Sequence, residues 1–425
     1  MENFFPKVAL VRQQLISAAI PDASLETGKE LAGLERDLPS LAGKTVGLGV
    51  GSRKIDRIGQ VVAAATRFLR EKGAVPFLVP AMGSHGGATP EGQAKVLEGL
   101  GVTSLCPDVP LLCGMETDPI ADLPSGETVL FSRDALGLDF LVPVNRVKPH
   151  TKFTAEIESG LCKMLVVGFG KAEGAASFHR AAVRRGFSLV EAAAAAILSR
   201  VPVLFGLALL EDGEGKLSRV EAVPARDIIA REKELLPVAY GNLGRLPFAK
   251  LDVLIVDAMG KDISGIGMDS KVTGRHRDIS GDFRLPPDPG RIFVRELSPG
   301  SAGNANGVGL ADFVTSRLAA AVDRKKTYVN SLSALSPEKA AIPMHFDTDR
   351  ECLEACLSTC GCEKPESARL AWIPSTSRLS LLAASPALEP EIRANPRLCR
   401  ISDYRDLAFG PDGNLAPWII PAESA

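Results

Sequence analysis

No apolar stretch in this 425-residue chain reaches the ~18 residues that a membrane-crossing helix needs. Nor does charge of one sign dominate. The 49 Lys and Arg nearly balance 51 Asp and Glu, leaving a net charge of −2 with no long basic or acidic run. That balance argues against a nucleic-acid or membrane-surface partner. Cysteine is too sparse, at eight in so long a chain, for a disulfide scaffold, so a reducing cytoplasm is the expected compartment. The opening residues Met1–Lys7 (MENFFPK) lack the basic-then-apolar order of a signal peptide. There is no HExxH, GxSxG or Walker A motif, which disfavours zinc-protease, serine-hydrolase and P-loop chemistry.

What is present is an ordinary globular composition, 45% hydrophobic and 24% charged. At roughly 150 residues per domain, the length allows two or three domains. Thr45–Gly51 (TVGLGVG) reads as a buried strand ending in glycines. Ile58, Val61, Val62, Ala65 and Leu69 recur at helical spacing, and Val75–Pro80 (VPFLVP) reads as a second strand. This is a βαβ unit, so the sheet is expected to be parallel. Thr89-Pro90-Glu91 predicts a helix start with Thr as N-cap. Leu138–Val147 and Met164–Val167 are further apolar strand candidates, and Ser188–Arg200 predicts a helix. The pattern breaks at Gly244-Arg245-Leu246-Pro247, and Leu251–Val256 opens a new strand; Ala311–Val322 then resumes helical periodicity. The expected architecture is two α/β domains with mainly parallel sheets and a cleft between them. The first would span 1–247 and the second 248–399. The tail, about 400–425, should dock on a folded domain and could return to the first.

The five histidines are His85, His150, His179, His276 and His345. His85, in Gly83-Ser84-His85-Gly86-Gly87, and His150, in Lys148-Pro149-His150-Thr151, each follow a predicted strand. Ligands of open α/β sheets bind beyond the carboxyl ends of strands, so both imidazoles are candidates for one site. Lys163 has apolar neighbours on both sides in Gly160–Val166 (GLCKMLV). Such a lysine is usually charge-paired or has a lowered pKa, and then it can act as a nucleophile. Lys171 is its rival. Neither Gly47-Leu48-Gly49-Val50-Gly51 nor Gly168-Phe169-Gly170-Lys171-Ala172-Glu173-Gly174 completes GxGxxG. Gly51-Ser52-Arg53 could still form an anion pocket between a strand and a helix. Cys352, Cys356, Cys360 and Cys362 match neither zinc knuckles nor ferredoxin spacing, and read as small apolar fillers of a helix end.

The segments VGSRKI, PAMGSHGGATPEGQ, VKPHTKFTAEIESGLCK and FHRAA together resemble the nickel-dependent lactate racemase family, and GKDISGIGMDSKVTGR extends the likeness more loosely. The resemblance implies a nickel pincer nucleotide, pyridinium-3-thioamide-5-thiocarboxylic acid mononucleotide. In that family the cofactor is bound through a thioamide to a lysine, and a histidine completes the metal's coordination. Carried over by position, His85 and His150 resemble the acid/base pair, Lys163 the covalent anchor and His179 the nickel ligand. Ser52, Arg53, Ser159 and Gly160 would contact the cofactor; Val50 stands where the family's DxTR-type motif has its acidic residue. The family's Tyr-Gln-x-x-Lys substrate motif is not recognisable, and Lys271, Arg275 and Arg277 are the candidates to replace its lysine. The implied activity is racemisation or epimerisation of a small 2-hydroxy acid by hydride transfer through a 2-keto acid, with cofactor-synthesis proteins as maturation partners. The alternatives are an NAD-dependent 2-hydroxy-acid dehydrogenase and a non-catalytic binding or sensor homologue.

Overall fold

The computed structural model describes residues 4–52 and 55–416. Contacts divide the chain into two compact units, 16–243 and a second made of the first 15 residues with everything from 244 onward.

In the 16–243 unit the expected βαβ start is present. Thr45–Val50 and Val75–Pro80 pair in parallel, in register from Thr45 opposite Val75 to Val50 opposite Pro80. The helix Ile58–Glu71 joins them and buries Val61, Val62, Ala65 and Leu69, the stripe its periodicity predicts. Thr89 caps the helix Pro90–Gly99, its hydroxyl accepting the Gly92 N–H at 3.1 Å. The sheet has five strands, in the order Val75–Pro80, Thr45–Val50, Phe140–Arg146, Phe205–Glu211, Leu217–Pro224. Only the last pairing is antiparallel. One face packs on a core that includes Leu48, Val62 and Leu207, the other on a core that includes Leu141, Leu165 and Phe169. Fully burying one such side chain contributes about 1.5–3 kcal/mol.

Met164–Val167 departs from expectation. It is not a strand but the continuation of a helix: Leu161–Lys163 is α-helical, and Met164–Gly168 widens into a π-type turn. The Phe169 N–H bonds back to the Met164 carbonyl at 2.9 Å. A short apolar run fits a buried helix and a buried strand equally well, and here packing on the sheet decides. Widened turns of this kind are frequent at functional sites.

The second unit holds an eight-stranded mixed sheet. Met344–Phe346, Phe313–Thr315, Pro289–Leu297, Leu251–Met259 and Leu370–Ile373 run parallel in that order. Leu381–Ala384, Ala9–Gln13 and Leu398–Arg400 follow, paired antiparallel. Within 311–322, Phe313–Thr315 is thus a strand and only Ser316–Ala320 is helical. The strand Ala9–Gln13 corrects the expected boundary, because residues 1–15 belong with this unit and not the first. Fully buried Val11 packs in one core with Leu382 and Leu398. The tail stays here too, with Arg405 bridged to Val8; residues 417–425 lie outside the described part. Cys352 and Cys356 fill the core under the helix Asp349–Thr359, and burial pushes both thiols up, Cys352 to about 12. Cys360 and Cys362 are half-buried with their sulfurs 3.2 Å apart. Among the described residues no helix is long and apolar enough to cross a membrane.

Candidate functional site

The chain runs from Thr45–Val50 outward to the edge strand Val75–Pro80, then crosses back to Phe140–Arg146 on the other side of the first strand. A reversal of this kind opens a crevice at the carboxyl ends of the two strands it separates, where open α/β sheets bind ligands. Ser52 follows one of those strands and His150 the other, while His85 follows the edge strand.

His85 sits in a loop whose glycines at 83, 86 and 87 have φ of 60–69°. Its Nδ1 is hydrogen-bonded to the Ser52 hydroxyl. Beneath the loop lies fully buried Gln93, whose Nε2 donates to the carbonyls of Gly83 (2.9 Å) and His85 (3.4 Å). The Gln93 Oε1 accepts from Lys171 Nζ at 3.4 Å, and the same amine donates to the Pro80 carbonyl at 2.8 Å. Lys171 is fully buried, and burial holds its ammonium below the usual lysine range. It also begins its helix at a φ of +53°, strain that a β-carbon does not relieve. Lys171 thus anchors the His85 loop from behind. Lys171→Met leaves two buried acceptors without a donor and is expected to cost about 2–4 kcal/mol. Urea unfolding checks this, and an unchanged midpoint would show that the amine carries no such load.

His150 lies in the loop between Phe140–Arg146 and the helix that starts at Leu161. The loop is closed at its base, where Lys148 and Ser159 exchange backbone hydrogen bonds (2.8 and 3.3 Å) and Asn145 Nδ2 donates to the Gly160 carbonyl at 2.8 Å. Glu158 is fully buried inside it. Its carboxylate accepts the backbone N–H groups of His150 and Ala155 and the Tyr240 hydroxyl (2.8 Å). The imidazole stacks on Phe153 with centroids 4.3 Å apart, and Phe153 stacks on Phe187 at 3.8 Å. His150 Nδ1 accepts the Lys152 backbone N–H at 3.1 Å. His150 Nε2 is in hydrogen-bond contact with Lys163 Nζ, which lies 5.8 Å from the Phe153 ring centroid.

The segment carrying Lys163 is also tied to the first strand. The Phe169 ring occupies the space a β-carbon on Gly49 would need, and Gly83 N–H bonds the Gly168 carbonyl at 3.1 Å. Both glycine-rich segments that invited a nucleotide-binding reading therefore serve close backbone packing here. At the start of the helix, Cys162 N–H donates at 2.9 Å to Glu232, a fully buried carboxyl on the helix Ile228–Asn242. Gly160 is required there because a β-carbon would collide with that carboxyl group. Burial pushes Glu232 up to about 7 against the opposing hydrogen bond from Cys162, and its Oε1 has no hydrogen-bond partner among the described residues.

The predicted residues thus fall into two contacting pairs, Ser52 with His85 and His150 with Lys163, both joined to the segment 160–171. Ser159 and Gly160 close the loop between them. His179 lies further along, on the helix Lys171–Arg185, half-buried beside Phe178 at 6.2 Å between ring centroids. Arg53 lies outside the described residues. Lys271, Arg275 and Arg277 belong to the second unit. Lys271 is buried, its amine 4.5 Å from the Phe283 ring centroid. Arg275 is clamped by Asp312 and by the carbonyls of Pro289 (2.7 Å) and Gly290 (3.2 Å), a structural set of partners. Arg277 is exposed. Gln93, Asn145, Glu158, Glu232 and Tyr240 were not anticipated. For Glu232 a signal existed, since it falls on the apolar face of its helix with Ile228, Leu235, Leu236 and Ala239. Among the described residues, no group of three or more His, Cys, Asp or Glu is arranged to hold a metal ion.

No protein-family model and no curated protein matches the sequence. Seven solved chains match in structure. One of them is the lactate racemase apoprotein from Thermoanaerobacterium thermosaccharolyticum, at 12% identity and a TM-score of 0.51, covering 87% of this chain and 94% of that one. At that identity the likeness establishes a lactate-racemase-like α/β fold.

Proposed function

We propose that this chain racemises or epimerises a small 2-hydroxy acid, using a nickel pincer nucleotide anchored on Lys163. The observation that carries the reading is the contact of Lys163 with His150 at the carboxyl end of the sheet, in a fold similar to that of a lactate racemase apoprotein. The residues fit such a group. A primary amine is the donor a thioamide link needs, and imidazole is a suitable ligand for nickel. A cofactor with its own sulfur arms asks the protein for one ligand, assigned here to His179, and not for a three-residue cluster. When bound, the group supplies a hydride acceptor.

The chain's own residues move the hydroxyl proton. Inverting a secondary alcohol requires a proton to be taken on one side and returned on the other, which suits two near-neutral imidazoles. His150 is set by Glu158 on its backbone and by Lys152 N–H on its ring; His85 is set by Ser52 on its ring and by Gln93 on its carbonyl. The side chain of Phe153 stacks on His150 and keeps water off that face of the ring. Replacing either histidine with asparagine should lower kcat by about 10²–10⁴, typical of a lost general acid or base. Chiral chromatography of lactate and longer 2-hydroxy acids, with protein from cells that make the cofactor, reads this out. Wild-type turnover in either variant would remove that histidine from the mechanism. No inversion of any tested acid by nickel-loaded wild type would sink the racemase reading.

A further inference from the structure

We propose that Cys360 and Cys362 are a redox-active dithiol, a site for small disulfides, which oxidise the pair to an intrachain disulfide by thiol–disulfide exchange. The fold sets these two sulfurs apart from their neighbours in sequence. Cys352 and Cys356 are fully buried under the helix Asp349–Thr359, out of reach of solvent. Cys360 follows the last helical residue. The chain then turns at Gly361, whose φ of +86° is a left-handed conformation that glycine adopts without strain. That turn carries Cys362 back over the helix end. The two sulfurs come to 3.2 Å, and both approach the Leu357 carbonyl, at 3.4 and 3.8 Å. A thiol is a weak donor, so these contacts place the pair without tying up either sulfur. Both residues are half-buried, which leaves an approach from solvent. From behind, Cys360 is backed by the start of the strand Pro289–Leu297, where a β-carbon on Gly290 would lie 3.2 Å from the Cys360 carbonyl oxygen. The pair thus sits at the amino end of that strand and takes no part in the chemistry proposed above.

Burial and the contact with Cys360 push the Cys362 thiol up to about 12, so Cys362 keeps its proton and the first attack falls to Cys360. The Cys360 proton passes to water, and the thiolate attacks one sulfur of the small disulfide. A new S–S bond forms, the old one breaks, and a thiolate leaves and is protonated from water. Cys362 then attacks the Cys360 sulfur of this mixed disulfide. The second thiolate leaves and takes the Cys362 proton. Two protein thiols have lost two electrons and two protons, and the small disulfide has become two thiols. Sulfurs already in contact make the second step intramolecular and fast. An excess of the small thiol runs the sequence backward.

The test incubates the reduced full chain with oxidised glutathione at mildly alkaline pH and then blocks free thiols with iodoacetamide. Chymotryptic cleavage after Leu357 parts the pair from Cys356, and mass spectrometry reads the peptides. In wild type the peptide carrying Cys360 and Cys362 is expected to be two hydrogens lighter than its reduced form, unalkylated and free of glutathione. Exposed Cys399 should stop at its mixed disulfide. In Cys362→Ser the glutathione adduct on Cys360 should exceed the wild-type level at least ~10-fold, because no neighbouring thiol resolves it. A thermal melt checks the variant's fold, and should it not fold, the wild-type peptide decides alone. Three results overturn the proposal: a pair that stays alkylated, a wild type that keeps glutathione on Cys360 as the variant does, or a bridge from either sulfur to Cys356. Failure to bind nickel leaves the peptide masses untouched, so the two readings fall separately.

Discussion

Lys163→Ala is expected to abolish covalent retention of the cofactor outright and to bring racemisation below detection. The reason is the absence of a substitute. The nearest other amine on the segment, Lys171, is fully buried against Pro80 and Gln93 and cannot reach out without emptying that pocket. Lys163→Arg should fail equally, since a guanidinium stays protonated and is no nucleophile. Neither change is expected to unfold the chain. Lys163 is half-buried, and trimming such a side chain usually shifts stability by no more than about 1 kcal/mol. Intact-protein mass spectrometry and nickel analysis of protein from cofactor-making cells would check it. A covalent adduct surviving in Lys163→Ala would transfer the anchor to another residue and end the proposed assignment.

Lys163 also shows how far the residues alone could lead. Its apolar flanks mark it as unusual, and the two strand-end histidines stand out because glycine and proline shape their loops. Those signals are local. The strands Thr45–Val50 and Val75–Pro80 and the helix between them are equally local, carried by periodicity and by buried aliphatics. What was not legible depends on partners far along the chain. Met164–Gly168 is helical because it packs on the sheet, which four apolar residues cannot announce. Glu158 is fixed by Tyr240, and Gly160 by Glu232, over separations of 82 and about 70 residues. Ala9–Gln13 carries no mark of the unit it joins, because its antiparallel partners Leu381–Ala384 and Leu398–Arg400 lie near the other end.

The second large effect is expected from Glu232. Its carboxyl is pushed from the usual 4.5 to about 7 by burial, so the folded chain keeps this proton over a range in which the unfolded chain has released it. Folding then takes up a proton between those values, and stability falls as pH rises through the window. The penalty is absent below about pH 4.5 and complete above about pH 7, where it amounts to about 3 kcal/mol. Glu232→Gln keeps the acceptor for Cys162 N–H and cannot ionise. Urea unfolding from pH 5 to pH 8 should therefore show a flatter profile for the variant, by roughly that amount, with the difference largest at the alkaline end. Other groups titrate alike in both chains and cancel. Parallel profiles would mean that Glu232 is already ionised at pH 5, its Oε1, unpartnered among the described residues, being hydrated.

The placement of Ala9–Gln13 has a consequence for biosynthesis. This strand leaves the ribosome ahead of residues 16–243, yet the segments that flank it in the sheet emerge only after all of 16–243 and most of the second unit. The first unit can close its own five-stranded sheet early, whereas the second cannot be completed until its final strands arrive. During that interval a strand edge waits with its amides and carbonyls unsatisfied. A short length of five residues, with Arg12 and Gln13 at its exit, keeps that waiting edge a poor template for association with neighbouring nascent chains.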